Sequence, residues 1–278
     1  MSVLTPAEVV KANIKSAKGK ATAPIWKLLV LGIAAGLFIG LGAVVSSTVA
    51  HSAGDAGLVR LISGLLFPLG LVLVVLLGAE LFTGNVLMLN AMIDGKINWK
   101  GLMRNWGIVF VGNFIGSILL AVLIAYFGQL NIGGGELAVY TAKVASAKAS
   151  LPWMNAFVLG IFCNLLVCAA IYLALAAKTV VGKIMAIWIP IAAFVIAGFE
   201  HSVANMYYIS AGIFAWWNPI YSEMITDAGI NTGVLNFGDF LAGNLIPVTL
   251  GNIIGGAAIG LLLYFTHVRV AKKSKSRK

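Results

Sequence analysis

Two short polar stretches interrupt long apolar runs, and the chemistry of this chain is concentrated in them. Gly198-Phe199-Glu200-His201-Ser202-Val203-Ala204-Asn205 sits inside a run from near Ile184 to Trp217. Gly78-Ala79-Glu80-Leu81-Phe82-Thr83-Gly84-Asn85 carries Gly, Glu and Asn at the same three offsets. Hydrocarbon solvates neither a charge nor unpaired backbone, so an ionisable residue at membrane depth marks a functional site by default. The imidazole of His201 can donate a hydrogen bond or a proton near neutral pH. Thr83 adds a hydroxyl donor, and Asn205 adds an amide donor. Glu80 and Glu200 would repel an anion. Their expected role is structural, accepting backbone N–H groups or pairing with a buried partner, with Gly78 and Gly198 opening the turns. Two matched breaks predict a pore or transport site. Catalysis, a cofactor or a metal centre is not expected, because only the two glutamates are available to converge on His201. Cys163 and Cys168, five apart, face different directions on a helix and read as apolar filler.

The elements that hold these breaks follow from composition. The chain has 278 residues, 60% hydrophobic and 10% charged, with a mean hydropathy of +0.99. A soluble chain carries roughly a quarter charged residues, so this one belongs to the membrane class. Six apolar runs reach the roughly 20 residues needed to cross a bilayer: 25–50, 57–93, 106–128, 152–177, 184–217 and 237–267. The second and fifth are too long for one straight span and contain the two breaks, which predicts a discontinuous helix in each. Ahead of them, 1–24 reads as an amphipathic helix capped by Thr5, with Pro6 at the first position and Glu8 completing a capping box. It is expected to lie along the cytoplasmic membrane surface. Residues 25–267 form the six-helix domain and 268–278 a basic tail. With both termini on one side, that side holds sixteen Lys and Arg residues, and the other holds Arg60, Lys143 and Lys148. This predicts cytoplasmic termini. The net charge of +10 is therefore read as topology and lipid contact rather than nucleic-acid binding. Trp106, Trp153, Trp216 and Trp217 fit interfacial anchors.

The halves also match in order. Gly36-Leu37-Phe38-Ile39-Gly40 parallels Gly160-Ile161-Phe162-Cys163-Asn164, and Gly112-Asn113-Phe114-Ile115-Gly116 parallels Gly251-Asn252-Ile253-Ile254-Gly255. Three spans per half turn the second half upside down in the membrane. The expected fold is all-α, a 3+3 inverted repeat with its second and fifth helices broken and a site near the midplane.

With Gly-Phe-Glu-His-Ser-Val-Ala-Asn, Glu-Leu-Phe-Thr-Gly-Asn, Met206-Tyr207-Tyr208 and Gly243-Asn244-Leu245-Ile246-Pro247, the chain resembles the formate/nitrite transporter family over nearly its whole length. The resemblance implies an aquaporin-like fold assembled as a homopentamer in the bacterial inner membrane, with one pore per protomer. It implies passage of formate, nitrite or hydrosulfide, with protons involved. By motif, the pore histidine falls on His201 and the threonine of the first break on Thr83. Two apolar constrictions fall on Leu71 and Phe194, the periplasmic-side lysine on Lys148, and pore asparagines on Asn164 and Asn205. A water or glycerol channel is the alternative of similar shape, but it would carry Asn-Pro-Ala at each break. Asn218-Pro219-Ile220 lies beyond the fifth run and does not supply that motif. A proton-coupled carrier for a short monocarboxylate would share the same residues.

Overall fold

The computed structural model of the protein describes residues 3–270, and the basic tail lies outside the described residues from 271 onward. Helix α1 (Pro6–Thr22) begins at the capping box read from the sequence, with Thr5 and Glu8 bonded reciprocally. The membrane-length helices are α2 (Ile25–Ala50), α3 (Ala56–Leu77), α5 (Trp99–Tyr126), α7 (Trp153–Ala176), α8 (Val180–Ala197) and α11 (Asp239–Arg269). Shorter helices complete the chain: α4 (Phe82–Ile93), α6 (Glu136–Ala149), α9 (Ser202–Trp217) and α10 (Pro219–Asp227). No strand occurs among the described residues.

The expected span boundaries hold within a few residues except for α5, which starts seven residues early. Asn98 caps it by accepting from the Gly101 N–H at 2.8 Å, and its first turns carry Arg104, which donates to the Ala23 carbonyl at 2.8 Å. The second and fifth runs are broken where expected, into α3 plus α4 and α8 plus α9. Asn218 caps α10 through the Ile220 N–H and donates to the Ala125 carbonyl at 2.8 Å.

Helices α2 and α5 form one closely packed pair and α7 and α11 the other. Glycine sets both crossings. A Cβ on Gly116 would run into the Ile33 carbonyl, and one on Gly255 into the Ile161 carbonyl, both far inside contact distance. Backbone-to-backbone approach of this kind replaces the hydrophobic driving force that lipid removes. The two pairs flank the broken helices, and α3 crosses α8 where Gly64 meets Ala192 and Ile196.

Two features differ from the sequence expectation. The apolar stripe of α1 (Val9, Val10, Ile14, Ala17, Ala21) is buried against the protein's own α4, α7 and α5. Lipid therefore does not cover it, and α1 closes one end of the bundle. The loop expected after α5 contains α6, whose buried stripe of Leu137, Ala138, Ala142, Ala145 and Ala149 packs on α9. The repeat thus has four parts per half, with α1 matching α6, α2 matching α7, α3–α4 matching α8–α9 and α5 matching α11.

Candidate functional site

Each break is built the same way. Helix α3 ends at Gly78 (φ 73°) and α8 at Gly198 (φ 74°), in the left-handed region that a side chain disfavours. The chain then runs extended through Leu81 or His201 before the next half-helix starts. The exposed backbone is paired by one asparagine from the neighbouring long helix. Asn113 Nδ2 donates to the carbonyls of Gly32 (2.8 Å) and Glu80 (2.9 Å), while its Oδ1 accepts from the Phe82 N–H (2.9 Å). Asn252 does the same for Gly160 (2.8 Å), Glu200 (3.0 Å) and the Ser202 N–H (2.9 Å). The Glu80 and Glu200 N–H groups donate to Leu31 and Leu159 carbonyls. Unpaired backbone at this depth would cost several kcal/mol per group, so these two asparagines make the breaks affordable.

The starts of α4 and α9 meet at the centre, where Thr83 Oγ1 and His201 Nε2 lie 2.8 Å apart, both buried. The tautomer follows from the other ring nitrogen. His201 Nδ1 accepts from the Ala204 N–H at 3.1 Å as the cap of α9, so Nδ1 carries no proton. The neutral ring therefore donates Nε2–H to Thr83. An added proton could go only to Nδ1, where it would break the cap and place a cation at the positive end of α9.

Beside this pair is a central chamber of about 10 Å³, near the minimum for one water. Leu71 and Leu81 line it toward one vestibule, of about 330 Å³, which also holds Lys20 and Glu80. Phe67 and Phe194, in edge contact at 5.7 Å, line it toward a second vestibule, of about 370 Å³, which holds Lys148 and Glu200. His201 is the only polar residue lining the chamber among the described residues. Leu71, Phe194 and His201 thus line one chamber. Leu81 and Phe67, with Ile39, Val167 and Ile191 behind them, were not anticipated, because an apolar pore residue has the same sequence character as core.

Each vestibule contains a buried charge network. Lys148 Nζ donates to Glu200 Oε1 at 2.7 Å, and Asn205 Nδ2 donates to Glu200 Oε2 (2.6 Å) and Asn244 Oδ1 (2.7 Å). On the other side, Lys20 Nζ reaches Glu80 Oε2 (3.1 Å) and Asn85 Oδ1 (2.7 Å), while Asn85 Nδ2 donates to Glu80 (2.6 Å) and Asn105 (2.9 Å). Glu80 and Glu200 each pair with a partly buried lysine. The expected amide donors do not face a permeant in this structure. Both Nδ2 hydrogens of Asn164 are used by Thr83 and Asn252 carbonyls, and those of Asn205 by Glu200 and Asn244. Trp106 is likewise no interfacial anchor: it is buried, with Nε1 donating to the Asn85 carbonyl at 2.9 Å.

Lys20 was missed as a site residue, although spacing contains the signal. Lys20 precedes Gly32 by twelve residues as Lys148 precedes Gly160, and Asn105 precedes Asn113 by eight as Asn244 precedes Asn252. No cluster of three metal-binding side chains occurs among the described residues.

Comparison with known proteins places the chain by sequence and by fold. The formate/nitrite transporter family model matches residues 7–266. A probable formate transporter of Methanothermobacter thermautotrophicus is 40% identical, covering 96% of this chain and 98% of its own. The formate channel FocA of Haemophilus influenzae is 38% identical over 91% of each chain. A solved pentameric formate channel with formate bound superposes with a TM-score of 0.78 at 37% identity, covering 87% of this chain and 96% of its own.

Proposed function

The chain belongs to the formate/nitrite transporter family and is a multi-pass membrane transporter rather than an enzyme, and we propose that it conducts small monovalent weak acids, formate foremost, through one pore in each protomer of a homopentamer. Nitrite and hydrosulfide belong to the same substrate class, being small, singly charged and protonatable. The α1 side faces the cytoplasm of a bacterial inner membrane, in keeping with the sixteen Lys and Arg residues on that side.

The observation that carries this reading is the uncharged chamber between two lysine-bearing vestibules. An ammonium at each mouth concentrates anions. The chamber offers no replacement for an ion's hydration shell, and a bare ion is far costlier to move into it than a neutral acid. As the anion leaves water its own pKa rises, so it takes up a proton at the vestibule and crosses neutral. His201 acts as a neutral hydrogen-bond donor. Its Nε2–H holds Thr83 Oγ1 behind the chamber wall, and on this reading the threonine hydroxyl, left with a free hydrogen, becomes the donor to a permeant once the chamber opens. Imidazolium formation is not required, in keeping with the Nδ1 cap. At about 10 Å³ the chamber admits the permeant only when Leu71, Leu81, Phe67 and Phe194 shift, which favours the smallest acids.

The test is flux into proteoliposomes of formate, nitrite, hydrosulfide and chloride, with glycerol as neutral control. Fast passage of weak-acid anions with glycerol and chloride excluded is expected. Glycerol passage without anion flux would assign the protein to the water/glycerol class instead.

A further inference from the structure

The two mouths are related by the repeat, but their charges are not. The α1-side vestibule is lined by one cation, Lys20, and one anion, Glu80, and is formally neutral. The α6-side vestibule is lined by Lys148, Glu200 and a third charged residue, Arg60 of α3. With His201 neutral, its formal charge is +1. The repeat does not require this extra cation. Arg60 lies eighteen residues before Gly78, and the residue eighteen before Gly198 is Val180. The guanidinium lies over Gly198, where an added Cβ would come 2.6 Å from Nη1. Nη1 donates to the Ile196 carbonyl at 3.2 Å, in the last turn of α8. That bond satisfies one carbonyl at a helix end and fixes the charge at the rim of the break. Arg60 lines the cavity and is itself exposed.

Lys148 differs from Lys20 in the same direction. Lys20 bonds two acceptors, Glu80 and Asn85. Lys148 bonds Glu200, and its ammonium stands 5.5 Å from the Tyr208 ring centroid. Asn205 Oδ1, the counterpart of the second acceptor, has no donor. Lys148 therefore keeps N–H capacity that Lys20 spends inside its network.

From this asymmetry we infer that Arg60 is a specificity-determining residue that gives the α6-side vestibule a net cationic lining and makes it an anion-capture site, whereas the α1-side vestibule has a formally neutral lining although its face carries most of the Lys and Arg. The inference rests on the weak-acid transport reading for its substrate but not for its electrostatics. A unit charge a few ångströms from the captured anion, in a partly solvated cavity, corresponds to roughly a three- to tenfold change in local anion concentration.

Two measurements on the full-length protein test it. Formate saturation is compared in right-side-out and inverted vesicles for wild type, Arg60→Gln and Arg60→Lys. Gln can still donate to the Ile196 carbonyl without charge, and Lys keeps the charge. Arg60→Gln is expected to raise the half-saturating formate concentration about three- to tenfold from the α6 face only, in a salt-dependent manner, with Arg60→Lys near wild type. An unchanged value, or an equal shift from both faces, would overturn the assignment, since a purely structural cap has no sidedness. Independently of the permeant, a reporter at Ala147→Cys, whose parent residue lines this vestibule, is modified with anionic and cationic thiol reagents. Arg60→Gln should lower the anionic-to-cationic rate ratio by about the square of that factor, roughly ten- to hundredfold, because the lost charge depletes the anion and enriches the cation alike; an unmoved ratio refutes the inference. A lowered ratio in a protein that moves no weak acid would sustain the charge assignment and overturn the transport reading.

Discussion

Replacing Thr83 by valine removes one hydroxyl while keeping the shape of a fully buried side chain. The hydroxyl oxygen accepts His201 Nε2–H at 2.8 Å, so the substitution strands a buried donor. The Thr83 backbone carbonyl keeps its bond from Asn164, and the break itself should survive. An orphaned buried donor costs about 1–3 kcal/mol. If the same hydroxyl meets the permeant at the barrier, transport loses a similar amount, a flux reduction of about 5- to 150-fold. Thr83→Ser restores the hydroxyl without the methyl group. The assay is formate flux per reconstituted protomer, alongside the melting temperature in detergent. The expected pattern is a slow valine variant, a near-normal serine variant and a modest loss of stability in valine alone. Wild-type flux in Thr83→Val, with folding intact, would remove the Thr83–His201 pair from the pathway. Equal loss in both variants would show that the methyl packing, not the hydroxyl, matters.

Other consequences follow from the same contacts. Lys148→Gln leaves Glu200 buried without its cation and should destabilise by about 3–5 kcal/mol; Lys20→Gln should cost less, because that lysine is 28% exposed against 19%. Thermal melts of the two variants decide this, and equal losses would contradict it. Gly78→Ala should cost about 1–2 kcal/mol from positive φ alone, since its Cβ would meet nothing, whereas Gly198→Ala also displaces the flexible end of Arg60 from the Ile196 carbonyl and should lose slightly more. Denaturant midpoints test that order. Glu8, fully exposed, has its carboxyl held below the ordinary range by the Thr5 backbone N–H and then the Thr5 hydroxyl. A depressed folded-state pKa means the cap's contribution is complete above the ordinary glutamate value and is lost as pH falls through the depressed one. Hydrogen-exchange protection at the first turn of α1, normalised to the intrinsic exchange rate at each pH, should therefore be steady from neutral to mildly acidic pH and fall only in stronger acid.

Much of the fold was legible because lipid imposes simple rules. Six spans followed from hydropathy, and the two broken helices from Gly, Glu and Asn repeating at fixed offsets where hydrocarbon tolerates neither charge nor bare backbone. What was not legible depends on approach in space. Helices α1 and α6 carry enough Lys and small polar residues to read as surface segments, so the equal spacing of Lys20 and Lys148 from Gly32 and Gly160 gains its meaning from their docking at opposite mouths. Asn113 and Asn252 were visible as matched letters. Pinning a break three residues deep on another helix has no local signature. Leu81 and Phe67 look like any membrane leucine or phenylalanine. Asn164 and Asn205 were read as donors to a permeant because a sequence does not show which hydrogens a scaffold has already used.

The central claim is that the permeant crosses the chamber uncharged. The direct measurement is simultaneous recording of formate influx, internal pH and membrane current in proteoliposomes at one mildly acidic and one neutral pH. One proton should enter with each formate, with no net current, and flux should rise as external pH falls. Formate influx with matching current and no proton uptake would mean that the ion itself passes, and the account of the chamber would be wrong.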